Sequence, residues 1–463
     1  MKSGRVFGRA LLCCAALSAA FSLLAASSAK AAVATQAEES YFESLPETMK
    51  LKALYNLART GRHELAADLL ERHPLTGPYA ENRTLFIEGL IAKARGDLQG
   101  AADKFRAALA NDPKLTLVRA ELSMVLHMMG EDDSAKHHLE LLMGAAPTAK
   151  DARDIRSFID SIDAARPFRM SAYVSLAPST NINRGTTNNE ILPGFEIDDE
   201  GRKKSGIGIT AGVNVGYTKH LADRLDAVVG GGVHAVQYQD DDFDQVLFSE
   251  TAELRQLLDT GYVGFGAVAA QSLGGKFADL TSFNDFSGEI STTSFGPRIS
   301  FLNRFTPTLA YNGSLMLLRQ DFEEEYRDGW RLNLDGQLTR TFATDLTGYV
   351  SGGIERGLTD DRKDLEYWAF YGGVGVYKEL RWGISTTAEV EARYEHYDDI
   401  FSAWVPENRE DWQIDTTINL WKRDWNFYGY SPAIEYRYTW NDSNIAFYEY
   451  DSHTVDIRLT KDF

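Results

Sequence analysis

Fourteen segments in the second part of the chain alternate apolar and polar side chains, and this alternation limits the possible folds most strongly. The clearest segment is Ile384–Tyr397, ISTTAEVEARYEHY. Its even positions carry Ile, Thr, Ala, Val, Ala, Tyr and His, and its odd positions carry Ser, Thr, Glu, Glu, Arg, Glu and Tyr. Successive side chains of a strand point to opposite faces, so this strand has one apolar and one charged face. Such a strand suits either a soluble sandwich or a barrel wall between lipid and water.

The number of segments favours a closed barrel, because single-chain bacterial barrels have an even number of strands. The pattern predicts strands over residues 168–178, 204–218, 223–238, 244–258, 261–272, 286–301, 305–320, 328–341, 345–357, 366–380, 383–398, 409–423, 427–441 and 451–463.

The connections between these segments separate the two architectures. Even-numbered segments are followed by tight turns such as Asp259–Thr260, and odd-numbered segments by longer, often acidic loops such as 179–203. Short turns at one end and long loops at the other are typical of outer-membrane barrels. With a periplasmic amino-terminal domain, the first strand would run outward. We therefore expect a barrel over 166–463 in a bacterial outer membrane, with its long loops at the cell surface.

The two faces of the strands predict a lipid side and a lumen side. One proposed lipid-facing set is Trp412, Ile414, Thr416, Ile418 and Leu420. Opposite-sign charges belong in a wet lumen, because each would cost several kcal/mol against lipid. The lumen-lining candidates are Arg331, Asp335, Glu389, Glu391, Arg393, Glu395, Asp415, Glu435 and Arg437.

Pro432 lies inside the thirteenth segment and cannot donate a hydrogen bond to a neighbouring strand. Two interpretations stay open at this point, a local bulge and a weakened seam.

The amino terminus reads as an export signal. Basic residues precede an apolar run over 10–26, and small residues follow up to Ala31, which predicts a signal peptide over 1–31. Both cysteines, Cys13 and Cys14, lie inside it. The mature chain would therefore have no disulfide or thiolate chemistry. No other run approaches the roughly 20 apolar residues that a spanning helix needs.

Residues 38–165 show a repeat of 34 residues, the period of tetratricopeptide units built from two antiparallel helices. Small residues let paired helices approach closely, an aromatic residue fills the space between units, and proline ends the second helix. Arrays of this type bind peptides or proteins on a concave face, and the alternative is a scaffold or plug for the barrel. The signature positions are Gly89, Gly96, Ala101, Phe105, Ala108, Pro113, Gly130, Ala135 and Pro147.

The sequence predicts no enzyme, cofactor or metal site. Asp259-Thr260-Gly261 matches a protease tripeptide but occurs once, in a predicted tight turn, and the histidines of 38–165 lack metal-ligand spacing. Gly274-Gly275-Lys276 lacks the remaining residues of a phosphate-binding loop. A net charge of −19 argues against nucleic acid as the main partner, because phosphate binding needs clustered basic charge.

Two stretches resemble the surface lipoprotein assembly modulator family. The sequence AYVSLAPSTNINRGTT (Ala172–Thr187) is similar to the opening motif of that family's barrel, and the segment from Asn441 to Phe463 is similar to its last loop and strand. The layout of repeats before a fourteen-stranded barrel also matches, so the resemblance covers essentially the whole mature chain. The family-motif residues are Ala177, Pro178, Asn181, Ile182, Asn183, Asn441, Ser443 and Asn444.

The resemblance implies an outer-membrane translocon that carries lipoproteins, or soluble proteins in some members, from the periplasm to the surface. The expected partners are this protein client, outer-membrane lipid and the barrel assembly machinery. A last strand that ends on Phe463 resembles the signal by which that machinery recognises barrels. A diffusion porin with a periplasmic protein-binding domain is the alternative. A display barrel is a further alternative, with the repeats only linking it to periplasmic partners.

Overall fold

The computed structural model describes residues 36–192, 194–199, 201–239, 243–274, 289–425 and 430–460. Within these ranges a group of helices is followed by a closed antiparallel barrel. The expected signal peptide, the first residues of the sixth and thirteenth predicted strands, and Phe463 lie outside the described residues.

The described part of the helical region contains eight α-helices. They are α1 (Gln36–Ser44), α2 (Glu47–Arg59), α3 (His63–Arg72), α4 (Ala80–Arg95), α5 (Leu98–Asn111), α6 (Thr116–Met129), α7 (Asp132–Met143) and α8 (Ala149–Ala165).

Glycine turns set the spacing of the helices. Gly61, Gly96 and Gly130 follow α2, α4 and α6, and their φ angles are 82°, 82° and 84°. A side chain is strained in this left-handed region, so glycine is the residue that ends these helices without penalty. After Gly96, Asp97 caps α5 by accepting a hydrogen bond from the backbone N–H of Gly100 at 2.9 Å.

The core of the helical array is built around Phe105. This side chain is fully buried, and it packs so closely on Gly89 that a Cβ there would lie 2.4 Å from the ring. Ala101 and Ala108 of the same helix are also fully buried. Small residues therefore allow α4 and α5 to approach around one aromatic ring.

The barrel has fourteen strands, which confirms the predicted fold class and strand number. The first seven are β1 (Phe168–Ser179), β2 (Gly206–Ala222), β3 (Leu225–Gln237), β4 (Gln245–Leu258), β5 (Gly261–Gly274), β6 (Glu289–Thr306) and β7 (Leu309–Phe322). The second seven are β8 (Gly329–Ala343), β9 (Leu346–Thr359), β10 (Tyr367–Glu379), β11 (Ile384–Ile400), β12 (Asn408–Lys422), β13 (Ser431–Ser443) and β14 (Tyr450–Thr460). Each strand pairs with its neighbours in sequence, and β1 closes the barrel against β14.

Some strand ends differ from those that the sequence predicts. β2 ends at Ala222 and β6 ends at Thr306, four and five residues after the predicted ends at 218 and 301. In both strands the alternation continues past the predicted strand end, through the outward-facing Leu221 and Phe305. The loop between β1 and β2 also contains a short hairpin of Glu190–Leu192 and Phe195–Glu196.

Pro432 does not form a bulge. β13 pairs with β14 in one unbroken register from Ser431 to Asn441, with Pro432 opposite Leu459. The bulge interpretation is therefore wrong for this strand pair.

The apolar face of the strands points outward. On β11 and β12, Val390, Trp412, Ile418 and Leu420 are all among the exposed large hydrophobic side chains. Exposed apolar side chains in such number suit contact with lipid rather than with water. Among the described residues, none of the helices is both long and apolar enough to span a membrane.

Phe105→Ala should lower the free energy of unfolding of the helical array by about 3–5 kcal/mol, because truncation of a buried aromatic ring leaves a cavity. Urea unfolding of the full chain in detergent, followed by proteolysis within residues 38–165, measures this change. Tyr41→Ala is the matched control, since Tyr41 is 68% exposed. An equal loss of stability in both variants would contradict the packing described above.

Candidate functional site

The polar faces of the barrel strands gather the nine lumen-lining candidates on one side of the wall, opposite the apolar face. The register places Glu389, Glu391, Arg393 and Glu395 of β11 on alternate positions, with Glu391 directly opposite Asp415 of β12. The remaining candidates lie on the same face of β8 and β13. Their role in passage stays a prediction.

Ion pairs link these side chains across strands. Arg393 pairs with Glu395 at 2.6 Å and with Glu355 of β9 at 2.9 Å, so it bridges over the intervening strand β10. Arg331 of β8 lies 3.9 Å from the same Glu355. Glu355 was not among the sequence candidates, although its alternation within β9 marks it as polar-facing.

Further along the wall, Arg437 pairs with Glu435 at 2.8 Å, and Arg458 of β14 pairs with the same carboxylate at 3.1 Å. The hydroxyl of Ser314 donates a hydrogen bond to Asp335 at 2.8 Å. Most of the nine candidates therefore belong to satisfied networks, which favours a lining role over acid–base chemistry.

A tyrosine covers the wall where β10 carries glycine. The ring of Tyr349 lies over Gly375, where a Cβ would come within 2.1 Å of it, and its hydroxyl donates to Glu389 at 2.9 Å. Only glycine at position 375 leaves room for this ring.

A polar cavity of about 300 Å³ lies inside this part of the barrel. The wall contributes Glu389, Glu391, Asp415 and Arg437, and the loop between β1 and β2 contributes Arg184. A loop residue therefore reaches into the same space as the side chains of β11, β12 and β13.

A buried cluster of charges joins the helical array to the short-turn end of the barrel. Arg119 of α6 and Glu379 at the end of β10 form an ion pair in which both side chains have no exposed surface. Nη1 of Arg119 donates to Glu379 at 3.1 Å and to Nδ1 of His138 at 2.9 Å, and Nη2 donates to the carbonyl of Pro113 at 2.6 Å. Arg423, at the end of β12, pairs with Glu379 at 2.9 Å.

The joint extends beyond these charges. His137 of α7 contacts the hydroxyl of Tyr377 at 3.0 Å, and the backbone N–H of Trp382 donates to the carbonyl of Ala110 at 2.7 Å. Tyr377 and Glu379 share the polar face of β10 with Gly375, so α6 and α7 reach the interior side of this barrel end. The helical array is thus seated on the mouth of the barrel rather than beside it.

Sequence reasoning missed this joint. It gave the histidines of 38–165 no metal-binding role and did not single out Arg119. One signal was present: Arg119 interrupts the otherwise apolar face of α6 between the buried Val118 and Leu122. A buried arginine requires a partner, but the sequence does not tell which carboxylate provides it.

Burial at the joint acts on its histidines. Burial lowers the pKa of His137 to about 4, although the carboxylate of Glu379 acts in the opposite direction. Burial and the positive charge of Arg119 together hold the pKa of His138 well below its ordinary range. Both rings are therefore neutral in the docked array at pH 7, as the acceptance of an N–H from Arg119 by His138 also requires.

The first half of the family motif lies at the exit of β1. Ala177 and Pro178 lie just before the end of the strand at Ser179. Asn181 is buried, and its side chain donates to the carbonyls of Gly185 and Asp451 at 2.9 and 3.0 Å. Ile182 packs against Gly206, and Asn183 donates to the carbonyl of Arg202 at 2.7 Å.

The second half of the motif holds the last loop. Asn441 donates to the carbonyl of Tyr448 at 2.7 Å, and Ser443 accepts from the N–H of Ile445 at 3.2 Å. Asn444 accepts from the N–H of Glu410 at 2.8 Å. Through Asn181 and Asp451, the two halves of the motif meet across the junction of β1 and β14.

The repeat-signature residues are all in or next to the helical array. Ala135 is fully buried like Ala101, Phe105 and Ala108, Gly96 and Gly130 form the turns described above, and Pro113 and Pro147 follow α5 and α7. Across the described ranges, no group of three or more His, Cys, Asp or Glu side chains is arranged to hold a metal ion.

Comparison with known families gives one match that covers most of the chain. The family model described as "Surface lipoprotein assembly modifier" matches residues 168–463, which is the whole barrel.

Two characterised relatives are similar over both parts of the chain. The "Hemophilin secretion modulator" of Acinetobacter baumannii is 21% identical over 442 residues, covering 89% of this chain and 85% of the relative. The "Surface lipoprotein assembly modifier 1" of Neisseria meningitidis serogroup B is 22% identical over 396 residues, covering 82% of this chain and 75% of the relative.

Solved structures with similarity to the chain include outer-membrane proteins. OccAB4 of Acinetobacter baumannii aligns with a TM-score of 0.32 and 9% identity, over 64% of this chain and 98% of that chain. OmpF of Salmonella typhi aligns with a TM-score of 0.33 and 9% identity, over 63% and 97%.

Arg119→Met should release the helical array from the barrel mouth while leaving Glu379 paired with Arg423. Truncating one partner of a buried charge network costs about 3–5 kcal/mol, so we expect the docked population to fall at least tenfold. Energy transfer between dyes on Lys52→Cys and Asp223→Cys reports docking, since the mature chain would contain no other cysteine. Arg62→Met is the control, because Arg62 is an exposed arginine on the same array. Unchanged transfer in Arg119→Met would show that this cluster does not hold the array.

Acid should also release the array. In the docked form the pKa of His137 is about 4, whereas an exposed histidine has a pKa of about 6.5. The released form therefore binds more protons between these values, and docking weakens as the pH falls from about 6.5 towards 4, by up to about 1.4 kcal/mol per pH unit for each histidine. The same dye pair measures this over pH 7.5 to 4.5. The variant His137→Gln/His138→Gln should lose most of the pH dependence, and an unchanged profile would contradict the assignment.

Proposed function

Because the chain belongs to the surface lipoprotein assembly modifier family, we propose that it is an outer-membrane translocon for surface proteins. It delivers lipoproteins or soluble secreted proteins from the periplasm to the cell surface. The names of the two relatives described above, one for lipoprotein assembly and one for hemophilin secretion, support this class of client. They also give no support to an enzymatic role.

The observation that carries the proposal is a polar barrel interior with a helical array seated on one mouth. Charged side chains such as Glu389, Arg393 and Asp415 make the interior hydrophilic, and the cavity of about 300 Å³ lies among them. A polar lining lets an unfolded polypeptide pass while its backbone groups stay hydrated rather than exposed to lipid.

The orientation of the barrel follows from its asymmetric ends. The array and the short turns belong on the periplasmic side, and the longer loops, including 180–205 and 444–449, belong at the cell surface. The signal peptide at 1–31 would take the chain across the inner membrane, and the barrel assembly machinery would insert residues 166–463. The apolar outer face of the strands supports contact with outer-membrane lipid on that side.

The array is assigned the role of receiving the client. Residues 38–165 form tetratricopeptide-type units, and such arrays use their concave face to bind extended segments of other proteins. Because α6 and α7 sit over the interior side of β10, a client on the array would lie next to the barrel mouth. The array must shift from Glu379 and Arg423 before a chain can enter.

A diffusion porin with a periplasmic protein-binding domain is the second candidate, since a polar wall suits small solutes as well. The docked array favours the translocon, because a diffusion porin does not need a protein-binding domain seated at its mouth. Single-channel conductance in planar bilayers separates the two: a porin gives a large, steady conductance without any client, and the translocon does not.

Deletion of residues 38–165 should reduce surface exposure of the client at least tenfold, because nothing then presents it to the barrel. The client is a surface lipoprotein or secreted protein co-expressed with this chain, and protease accessibility on intact cells measures its exposure. Heat-modifiable mobility of the truncated barrel on gels checks that it is still folded.

Two outcomes would contradict the proposal. Client exposure that stays unchanged in cells lacking the whole protein would remove the translocon function. Unchanged exposure after deletion of the array alone would remove the receiving role of residues 38–165.

A further inference from the structure

We propose that β1 and β14 separate to form a lateral opening through which the acyl chains of a lipid-anchored client pass from the barrel to the bilayer. This inference rests on the translocon function proposed above and specifies the client as a lipid-anchored polypeptide. Four features of the β1–β14 junction carry it.

The first feature is an interrupted ladder. β1 pairs with β2 without a break from Phe168 to Ser179. Against the described part of β14, β1 pairs from Tyr173 to Leu176 and then again only at Ser179, opposite Thr454. The gap falls at Ala177 and Pro178, and proline has no N–H to donate to the neighbouring strand.

The second feature is a proline on the other side of β14. Pro432 of β13 lies opposite Leu459, and Leu459 lies opposite Val174 of β1. β14 therefore has Pro432 beside its carboxyl end and Pro178 beside its amino-terminal half. With a proline in each neighbouring strand, β14 is the strand that we expect to separate most easily from the wall.

The third feature is the placement of the bonds that remain. At the loop end, the N–H of Thr180 donates to the carbonyl of His453 at 2.9 Å, and Lys203 pairs with Asp451 at 2.7 Å. The hydroxyl of Thr186 donates to the carbonyl of Ala446 at 2.7 Å. The loops thus close the top of the junction through a set of polar contacts, to which Asn181 and Ser452 add further hydrogen bonds, and these polar groups can exchange their partners for water when the loops move.

The fourth feature is the difference between the two faces of the junction. The inner side carries Ser175 and Asp456, which are hydrogen-bonded to each other, and Arg458, which pairs with Glu435. The outer side carries Val174, Leu176, Ile457 and Leu459, all of them exposed.

A lipid-anchored client matches this arrangement. Its polypeptide is compatible with the charged interior, while its acyl chains favour the bilayer with every methylene. An opening between β1 and β14 lets the polypeptide stay in the hydrated interior while the acyl chains stay in the bilayer. A closed wall would force the acyl chains through the charged interior.

A disulfide across the junction tests the proposal directly. Leu176 and Ile457 are opposite each other in the β1–β14 ladder, so Leu176→Cys/Ile457→Cys should lock it. Val374 and Val390 are opposite each other between β10 and β11, where the ladder is unbroken, so Val374→Cys/Val390→Cys is the matched control. The client is a lipoprotein co-expressed with this chain, and its protease accessibility on intact cells is compared under oxidising and reducing conditions.

The oxidised β1–β14 pair should lower surface exposure of the lipoprotein at least tenfold, with recovery after reduction, while the β10–β11 pair leaves exposure unchanged. Equal exposure with both pairs oxidised, or an equal loss with both, would overturn the lateral opening. The wild-type protein and a strain without it are measured in parallel. If those two do not differ, the translocon function itself has failed.

Amide hydrogen exchange of the full chain in detergent gives a second measurement that needs no client. Peptides from Tyr450–Thr460 should exchange at least tenfold faster than peptides from Leu346–Thr359, a strand paired along its length on both sides. Equal protection of the two strands would overturn the proposal.

Discussion

Inside a hydrocarbon layer, backbone N–H and C=O groups must find hydrogen-bond partners within the protein, and the architecture of this barrel follows from that requirement. An open sheet edge is not tolerated there, so the strands must close on themselves, and β1 accordingly returns to β14. Closure produces two environments from one alternating pattern: an apolar exterior and a charged interior. The arginine–carboxylate networks of Arg393 and Glu355 exist because the interior excludes lipid. The same requirement is met less completely where the β1–β14 ladder is interrupted at Ala177 and Pro178.

The joint between the two domains follows a different rule, the high cost of an unpaired buried charge. Arg119, Glu379 and Arg423 hold each other in place, and none of them could be buried alone without a penalty of several kcal/mol. Such a cluster specifies position more than it adds stability. It fixes the array over one sector of the mouth, yet the same groups would be well hydrated after release. A joint of this kind can be firm in one arrangement and separable in another.

The sequence predicted the strands of the barrel well. It did not predict the contacts that join the helical array to the barrel or those that close the barrel, and the reasons are physical. Ile384–Tyr397 carries its two faces in the identity of every second residue, so strand, register and lumen side can be read locally. Exact turns were harder, because Leu221 and Phe305 continue the alternation past the expected ends. The pair Arg119–Glu379 joins residues 260 positions apart, and only the relative placement of two domains brings them together. The meeting of Asn181 with Asp451, 270 positions away, depends in the same way on barrel closure.

Trp382 links the helical array to the membrane boundary, because its backbone bonds to the array while its side chain is exposed. Its indole side chain is 75% exposed at the turn between β10 and β11, while its backbone N–H bonds to Ala110 of the array. Tryptophan side chains settle at the boundary between headgroups and hydrocarbon, so this turn follows the local thickness of the bilayer. A thinner or thicker membrane would move the turn relative to the rest of the rim. Lipid composition would thereby bias how firmly the array sits, without any ligand binding to either domain.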